Sequence, residues 1–394
     1  MNSMDRSETV KIAKSAWNRN LVDEKPIVVS CDVHTQNTYI FGVDTRSGEI
    51  KMEHNVFGGI QEVCRAVSKI GRKEDMIILY EAGCFGFSFY RKLTEAGYSC
   101  KIIAPNSIPR INGPKTDRDD AIRNFDYFCA GLLRFVWIPS KTAESARECL
   151  RYRYQLVWER TGEKQKVQAM LKRQGVIFTE TKKPWSKKHY AWLKIVVLPA
   201  EVRIVLDMRR KKIERLNEDI DELDIKLRAL MDGNANYRRL YEAYLKMTGI
   251  GPLGAVTWVL EGHDLNRFAR PSNLMSYLGL VPKKNSSGGK DPALRITKAG
   301  NAYLRYVTIC AARCYGDRRL TQKTEDIVKY PKPIGDLVKR SQDRLCNRYL
   351  HLRQNKKNGN KAKVAVAREL CGFIWEMATI VLVQCEAEEM KKAA

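Results

Sequence analysis

Histidine is scarce in this chain, at five residues in 394, and no two cysteines are spaced as a C-x-x-C pair. A zinc site built from thiolates and imidazoles is therefore not expected. The eleven cysteines (Cys31, Cys64, Cys84, Cys100, Cys129, Cys149, Cys310, Cys314, Cys346, Cys371 and Cys385) form an odd set without regular spacing. They read as reduced, mostly buried thiols of a cytoplasmic protein. No apolar run approaches the roughly 20 residues of a membrane span. The opening stretch MNSMDRSETVKIAKSAWNRN lacks an apolar centre, so a secretory signal is not expected. No repeat of 20 to 50 residues is visible. Acidic charge is in deficit, with 45 Asp and Glu against 70 Lys and Arg, a formal net charge of +25. Such an excess suits a partner carrying a dense line of phosphates. A ribosome-associated or membrane-surface protein would also be basic. The basic residues are spread along the whole length, which favours a long nucleic-acid footprint.

What is present is a globular chain, 44% apolar and long enough for two or three domains. Three strands are expected at the start, in PIVVSCDV, NTYIFGVD and EIKMEHNVF. A helix follows at GIQEVCRAVSKIG, then a buried strand DMIILYEAG, a helix near FSFYRKLTEAG and a strand SCKIIAP. That order, a hairpin start followed by α/β alternation, is the ribonuclease H-like arrangement. From 142 to 172 the pattern is of one or two long basic helices. A segment rich in Lys and aromatics follows, running from Lys182 to Trp192. Ile213, Leu216, Ile220, Leu223, Leu227 and Leu230 then alternate three and four apart, as in a coiled-coil seam. The seam fits a contact between subunits and an antiparallel hairpin within one subunit equally well. The C-terminal region is expected to be mainly helical. The expected divisions are an extension over 1–24, an α/β domain over 25–172, a basic linker and coiled coil over 173–234, a helical domain over 235–385 and a solvated tail over 386–394.

Four carboxylates stand where a sheet of this kind places them together. Asp32 ends the first strand, Glu81 ends the strand before a glycine turn, and Asp117 and Asp120 lie three apart at a helix start. Like charges so placed repel unless a hard divalent cation, Mg²⁺ or Mn²⁺, compensates them and holds a phosphodiester. Singly, each also reads as a turn cap or a solvated acid. Asp119 lies about 100° round the helix from Asp120 and is expected to face solvent. Gly249 and Gly251 sit in a tight turn between helices, which either presents backbone N–H groups to a phosphate or simply packs. In NSSGGK, over 285–290, Ser and Gly are ordinary loop residues, and composition alone does not give either serine a chemical role.

Taken together, CDVH, YEAGCFG, KIIAPNSIPRINGPKTDRDDA, MTGIGPLGA, RFARPSNLMSYLGLVP and NSSGGKDPALRITKAGNAYLRY resemble the DEDD-type transposases of the insertion-sequence one-ten family. The resemblance runs from about Lys25 to Leu382. It implies a RuvC-like nuclease domain, with Asp32, Glu81, Asp117 and Asp120 as catalytic metal ligands, joined through a coiled coil to a domain with a catalytic serine. The motif register makes that serine Ser287, with Ser286 the adjacent rival. A serine oxygen attacking a phosphodiester leaves a 5′-phosphoserine link that conserves bond energy for rejoining. Lys290, Arg295 and Lys298 would steady the phosphoryl charge or hold the backbone, and Lys115, Lys187 and Lys188 would contact nucleic acid. The resemblance further implies donor and target DNA as partners, a structured guide RNA, and a homodimer assembling to a tetramer with a composite centre. The enzyme would act in the cytoplasm, at the nucleoid. Two other readings remain: a RuvC-like junction or flap nuclease without a covalent intermediate, and a degenerate nucleic-acid-binding scaffold.

Overall fold

The computed structural model describes residues 24–105, 116–181, 183–283 and 295–393, with side chains as far as 383. Compactness divides the chain into two units, 1–138 and 139–394.

The first unit is built on five strands: β1 (Ile27–Val33), β2 (Asn37–Asp44), β3 (Glu49–Phe57), β4 (Met76–Glu81) and β5 (Ser99–Ile103). Their order across the sheet is β3-β2-β1-β4-β5. The β1–β2–β3 meander is antiparallel, whereas β4 runs parallel to both β1 and β5. The apolar runs of β1 and β4 follow from this topology, since both central strands are covered on both faces. Alternation then sorts their side chains. Val29, Cys31, Ile78 and Tyr80 pack with Val63 and Val67 of α1 (Ile60–Val67) and Phe89 and Leu93 of α2 (Ser88–Glu95). Val28, Ile77 and Leu79 pack on the opposite face with Ala121, Phe125 and Phe128 of α3 (Asp117–Cys129).

The second unit is helical. α4 (Lys141–Arg173) is one continuous helix of 33 residues, and α6 (Ala200–Asp232) has the same length. Between them lies the short α5 (Lys187–Ile195). Cross-helix pairs Arg153–Asp224, Arg160–Asn217 and Arg209–Glu163 run in opposite senses along α4 and α6, so the two are antiparallel. The seam residues Ile213, Leu216, Ile220 and Leu227 are buried. Ile213 shares a cluster with Val167, Met170 and Leu171 of α4, and Leu216 and Ile220 share one with Leu156. The heptad pattern is thus satisfied within one chain. α4, grouped by the sequence with the α/β domain, packs in this unit.

A larger core follows, made by α7 (Ala235–Leu245), α8 (Pro252–Thr257), α9 (Pro271–Tyr277), α10 (Ala302–Ala312), α11 (Thr324–Ile327), α12 (Lys332–Gln354) and α13 (Gly359–Ala393). α8 passes into a π-type turn over Trp258–Gly262, an irregularity frequent at functional sites. The described cysteines are free thiols, and burial pushes the Cys31 and Cys371 thiols far up. Among the described residues, no helix is long and apolar enough to cross a membrane.

Candidate active site

Asp32 is the first polar side chain after the buried run of β1, and its parity puts it on the face covered by α3. The β1–β4 register pairs Cys31 with Tyr80, so Glu81 is the next residue beside Asp32 and shares that face. α3 begins where β1 ends, because Thr116 caps it: its hydroxyl accepts from the Asp119 N–H at 3.1 Å and donates to the Asp119 carboxylate at 2.6 Å. That use of Asp119 leaves Asp117 and Asp120 on the inner side of the first turn, and Asp119 is exposed.

His34 joins strand to helix. Its Nε2 lies 3.3 Å from Asp32 Oδ2 and 3.3 Å from Asp117 Oδ1. One ligand atom from each of Asp32, His34 and Asp117 falls within 4.8 Å of the others. Asp32 is raised above the ordinary carboxylate range, chiefly by burial, with His34 opposing and Asp117 and Asp120 adding repulsion. Asp120 is ion-paired with Arg123 one turn along α3. The structure therefore gathers Asp32 and Asp117 around an imidazole, keeps Asp120 within electrostatic range, and sets Glu81 beside Asp32 in register.

Two carboxylate oxygens and one imidazole nitrogen, with further acids adjacent, are a donor set suited to a hard or borderline divalent cation. The unfavourable charge on Asp32 is the kind that such a cation relieves. The residues present fit the group. His34 was missed by the sequence reading, although an Asp and a His two apart on a strand end share a face.

In the second unit, the ends of the serine segment are brought side by side. Pro282 and Ile296 form an antiparallel bridge, the Lys283 N–H donates to the Arg295 carbonyl at 2.7 Å, and the Thr297 N–H to the Val281 carbonyl at 2.9 Å. Lys298 adopts a left-handed φ of 55°, and its N–H donates to the Gly279 carbonyl. Gly300 has φ 70°, and a Cβ there would lie 1.9 Å from the Tyr277 carbonyl oxygen. Ser286, Ser287 and Lys290 lie outside the described residues, as does Lys115. Gly249, with φ 81°, packs so closely that a Cβ would meet the Ala311 carbonyl oxygen at 2.4 Å; Gly251 faces open space. Lys187 and Lys188 are exposed on the first turn of α5.

Just after the bridge, Asn301 caps α10 by accepting from the Leu304 N–H, while its Nδ2 donates to Glu261 at 2.7 Å. Glu261, in the π-type turn, is buried and takes two bonds from Arg151 of α4. No sequence signal marked Glu261, since its partners come from two other helices.

A mixed sheet with acids ending β1 and β4 and opening α3 is the arrangement of a ribonuclease H-like domain of the DEDD type, here followed by a helical region. Two family profiles match the chain. One, a DEDD transposase profile of the IS110 group, covers residues 32–175; the other, described as "Transposase IS116/IS110/IS902 family", covers 241–325. The chain is 30% identical to the Sinorhizobium fredii protein named "Putative transposase y4qE", over 91% of its own length and 90% of that protein. It is 26% identical to the transposase for insertion sequence element IS1111A of Coxiella burnetii, over 74% of each chain. A transposase for insertion sequence element IS1533 of Leptospira borgpetersenii is also 26% identical, over 61% of this chain and 71% of that one. The fold and these likenesses define a DNA transposase. The chain belongs to the IS110 family of insertion-sequence transposases.

Proposed function

We propose that this transposase cuts and rejoins DNA by serine transesterification, with Ser287 as nucleophile and the carboxylate cluster as a divalent-cation site. The observation that carries the reading is the convergence of Asp32, His34 and Asp117, with Glu81 beside Asp32 in register. Asp32, Glu81, Asp117 and Asp120, with His34, would hold Mg²⁺ or Mn²⁺. Bound there, the cation would polarise a phosphodiester and offset its charge.

The protein's own part is an exchange of bonds at phosphorus. The Ser287 Oγ gives up its proton and forms a bond to phosphorus, while the bond from phosphorus to the 3′-oxygen breaks. The leaving 3′-oxygen takes a proton, and the 5′-phosphate stays on the serine. Attack by another strand's 3′-hydroxyl reverses the sequence and joins that strand. Lys290, Arg295 and Lys298 steady the phosphoryl charge, and the bridge between Pro282 and Ile296 holds the two ends of the serine segment together. Lys115, Lys187, Lys188 and the turn of Gly249 and Gly251 contact backbone phosphates. A structured RNA supplies sequence choice through base pairing, the protein reading shape and charge. Homodimers assemble to a tetramer in which the carboxylate site of one subunit works with the serine domain of another.

The test is covalent trapping. Protein, Mg²⁺, co-expressed RNA and labelled element-junction DNA are incubated and run on a denaturing gel. A protein–DNA adduct lost in Ser287→Ala supports the serine reading. Cleavage without an adduct, retained in Ser287→Ala and lost in Asp32→Ala, identifies a metal-dependent nuclease and overturns it.

A further inference from the structure

Four aromatic rings from α4 and α10 meet in one cluster: Tyr154, Trp158, Tyr303 and Tyr306. On α4, Arg151, Tyr154 and Trp158 are spaced i, i+3, i+7; on α10, Tyr303 and Tyr306 are three apart, and Arg313, the C-cap of that helix, stands two turns beyond Tyr306. Trp158 and Tyr303 are nearly parallel, at 13° and 6.1 Å between centroids. Tyr154 lies 5.1 Å from Tyr303 and 6.3 Å from both Trp158 and Tyr306.

The cluster has a fixed base and an open top. Tyr154 is 2% exposed, and its hydroxyl meets that of Thr257 at 2.8 Å. Because the Thr257 hydroxyl donates its one proton to the Leu253 carbonyl, Tyr154 is the donor of that bond. The buried ring anchors the base of the cluster, and the other three rings pack against it. Trp158 and Tyr306 nevertheless remain 58% and 56% exposed. Exposed rings gathered into one patch mark an interaction site more than rings scattered singly do.

The setting says what covers them. The Arg151 guanidinium stands 5.8 Å over the Tyr303 ring at one end, and exposed Arg313 lies within electrostatic reach of Tyr306 at the other. α4 carries nine Lys and Arg against four Glu. Its aliphatic side chains are used inward, with Leu150 and Leu156 buried, so the open part of the cluster is rings flanked by cations. Arg151 is committed to Glu261, so the charge the cluster offers outward is that of exposed Arg313 and the basic face of α4. Open rings beside such charge match an unpaired nucleotide, whose base stacks while its phosphates meet the cations. A base inside a duplex cannot offer its face, so the occupant is an extruded or single-stranded base. The family's substrate is DNA, and strand exchange unpairs it.

We infer that the Trp158–Tyr303–Tyr306 platform binds an unpaired base of the DNA strand being exchanged, by stacking. The site shares no residue with the carboxylate cluster. It rests on the DNA substrate of the family and not on Ser287 being the nucleophile.

The test uses the full chain and fluorescence anisotropy with an oligothymidylate of about twelve residues and an abasic strand of equal length. Wild type should prefer the base-bearing strand by about tenfold or more. Trp158→Ala with Tyr306→Ala should abolish that preference and leave the salt dependence unchanged, because phosphate contacts are retained. Trp158→Phe should keep most of it, and Ser287→Ala should keep all of it, which separates this inference from the serine reading. Thermal unfolding checks that the double variant is folded; should it be unfolded, the single variants Trp158→Ala and Tyr306→Ala, checked in the same way, decide by the same comparison of strands. The inference is overturned if the folded double variant keeps the base preference, or if the preference appears with oligouridylate alone. A variant that lowers the sedimenting mass while keeping the base preference would instead mark a face between copies of the chain.

Discussion

Arg151 and Glu261, 110 positions apart, are joined by two hydrogen bonds of 2.7 and 3.0 Å, with the Glu261 side chain 1% exposed. The pair ties α4 to the π-type turn, and the same carboxylate holds Asn301, the cap of α10. Removing Arg151 strands a buried carboxylate on one remaining partner. Arg151→Ala should cost about 3 kcal/mol of stability in urea unfolding. Arg151→Lys should recover only part of it, since a lysine cannot make the two-pronged contact.

At the sheet edge, His34 is the only described bridge between Asp32 and Asp117. His34→Ala should weaken Mn²⁺ binding, measured by calorimetry, by about tenfold or more while leaving the sheet intact. Asp32→Asn should abolish it. Unchanged Mn²⁺ affinity in both variants would show that the cluster is a structural ion pair.

The α4–α6 hairpin should weaken in acid. Glu163 is held down to about 2, first by Lys166 and then by Arg209 and Lys212, against the upward push of burial. Its folded value lies below its ordinary 4.5, so the stability it contributes is present above pH 4.5 and is lost as pH falls toward 2. The melting temperature should fall by a few degrees across that window. Glu163→Gln should be less stable at neutral pH and show a flatter acid limb.

Gly300 is a position that tolerates no side chain, having both a left-handed φ and a carbonyl 1.9 Å from where a Cβ would stand. Gly300→Ala should disturb the end of the serine segment at a cost of about 2 kcal/mol or more. DNA joining should be lost while Mn²⁺ binding to the carboxylate cluster is retained. Loss of both would mean that the substitution unfolds the whole chain.

Much of the nuclease-like unit is legible in the sequence, because β1 and β4 are buried on both faces and write uninterrupted apolar runs. Asp32 and Glu81 stand out as the first acids after those runs. The seam of α6 is legible for a similar reason, but its partner is not. α4 buries Arg147 and Glu163 among its apolar residues, so its pattern carries no clean period. His34 escaped notice because one histidine beside one aspartate is ordinary until a helix brings Asp117 to it. Glu261 and the ring cluster depend on pairs more than a hundred residues apart, which no local pattern records.

The bridge between Pro282 and Ile296 has an evolutionary side. The clasp fixes the two points at which the serine-bearing segment joins the helical core. Doubling the length of chain between two fixed points costs only about 0.6 kcal/mol in closure entropy. Length on either side of Ser287 and Lys290 is thus cheap for the fold to change, while those two positions are held by the proposed chemistry.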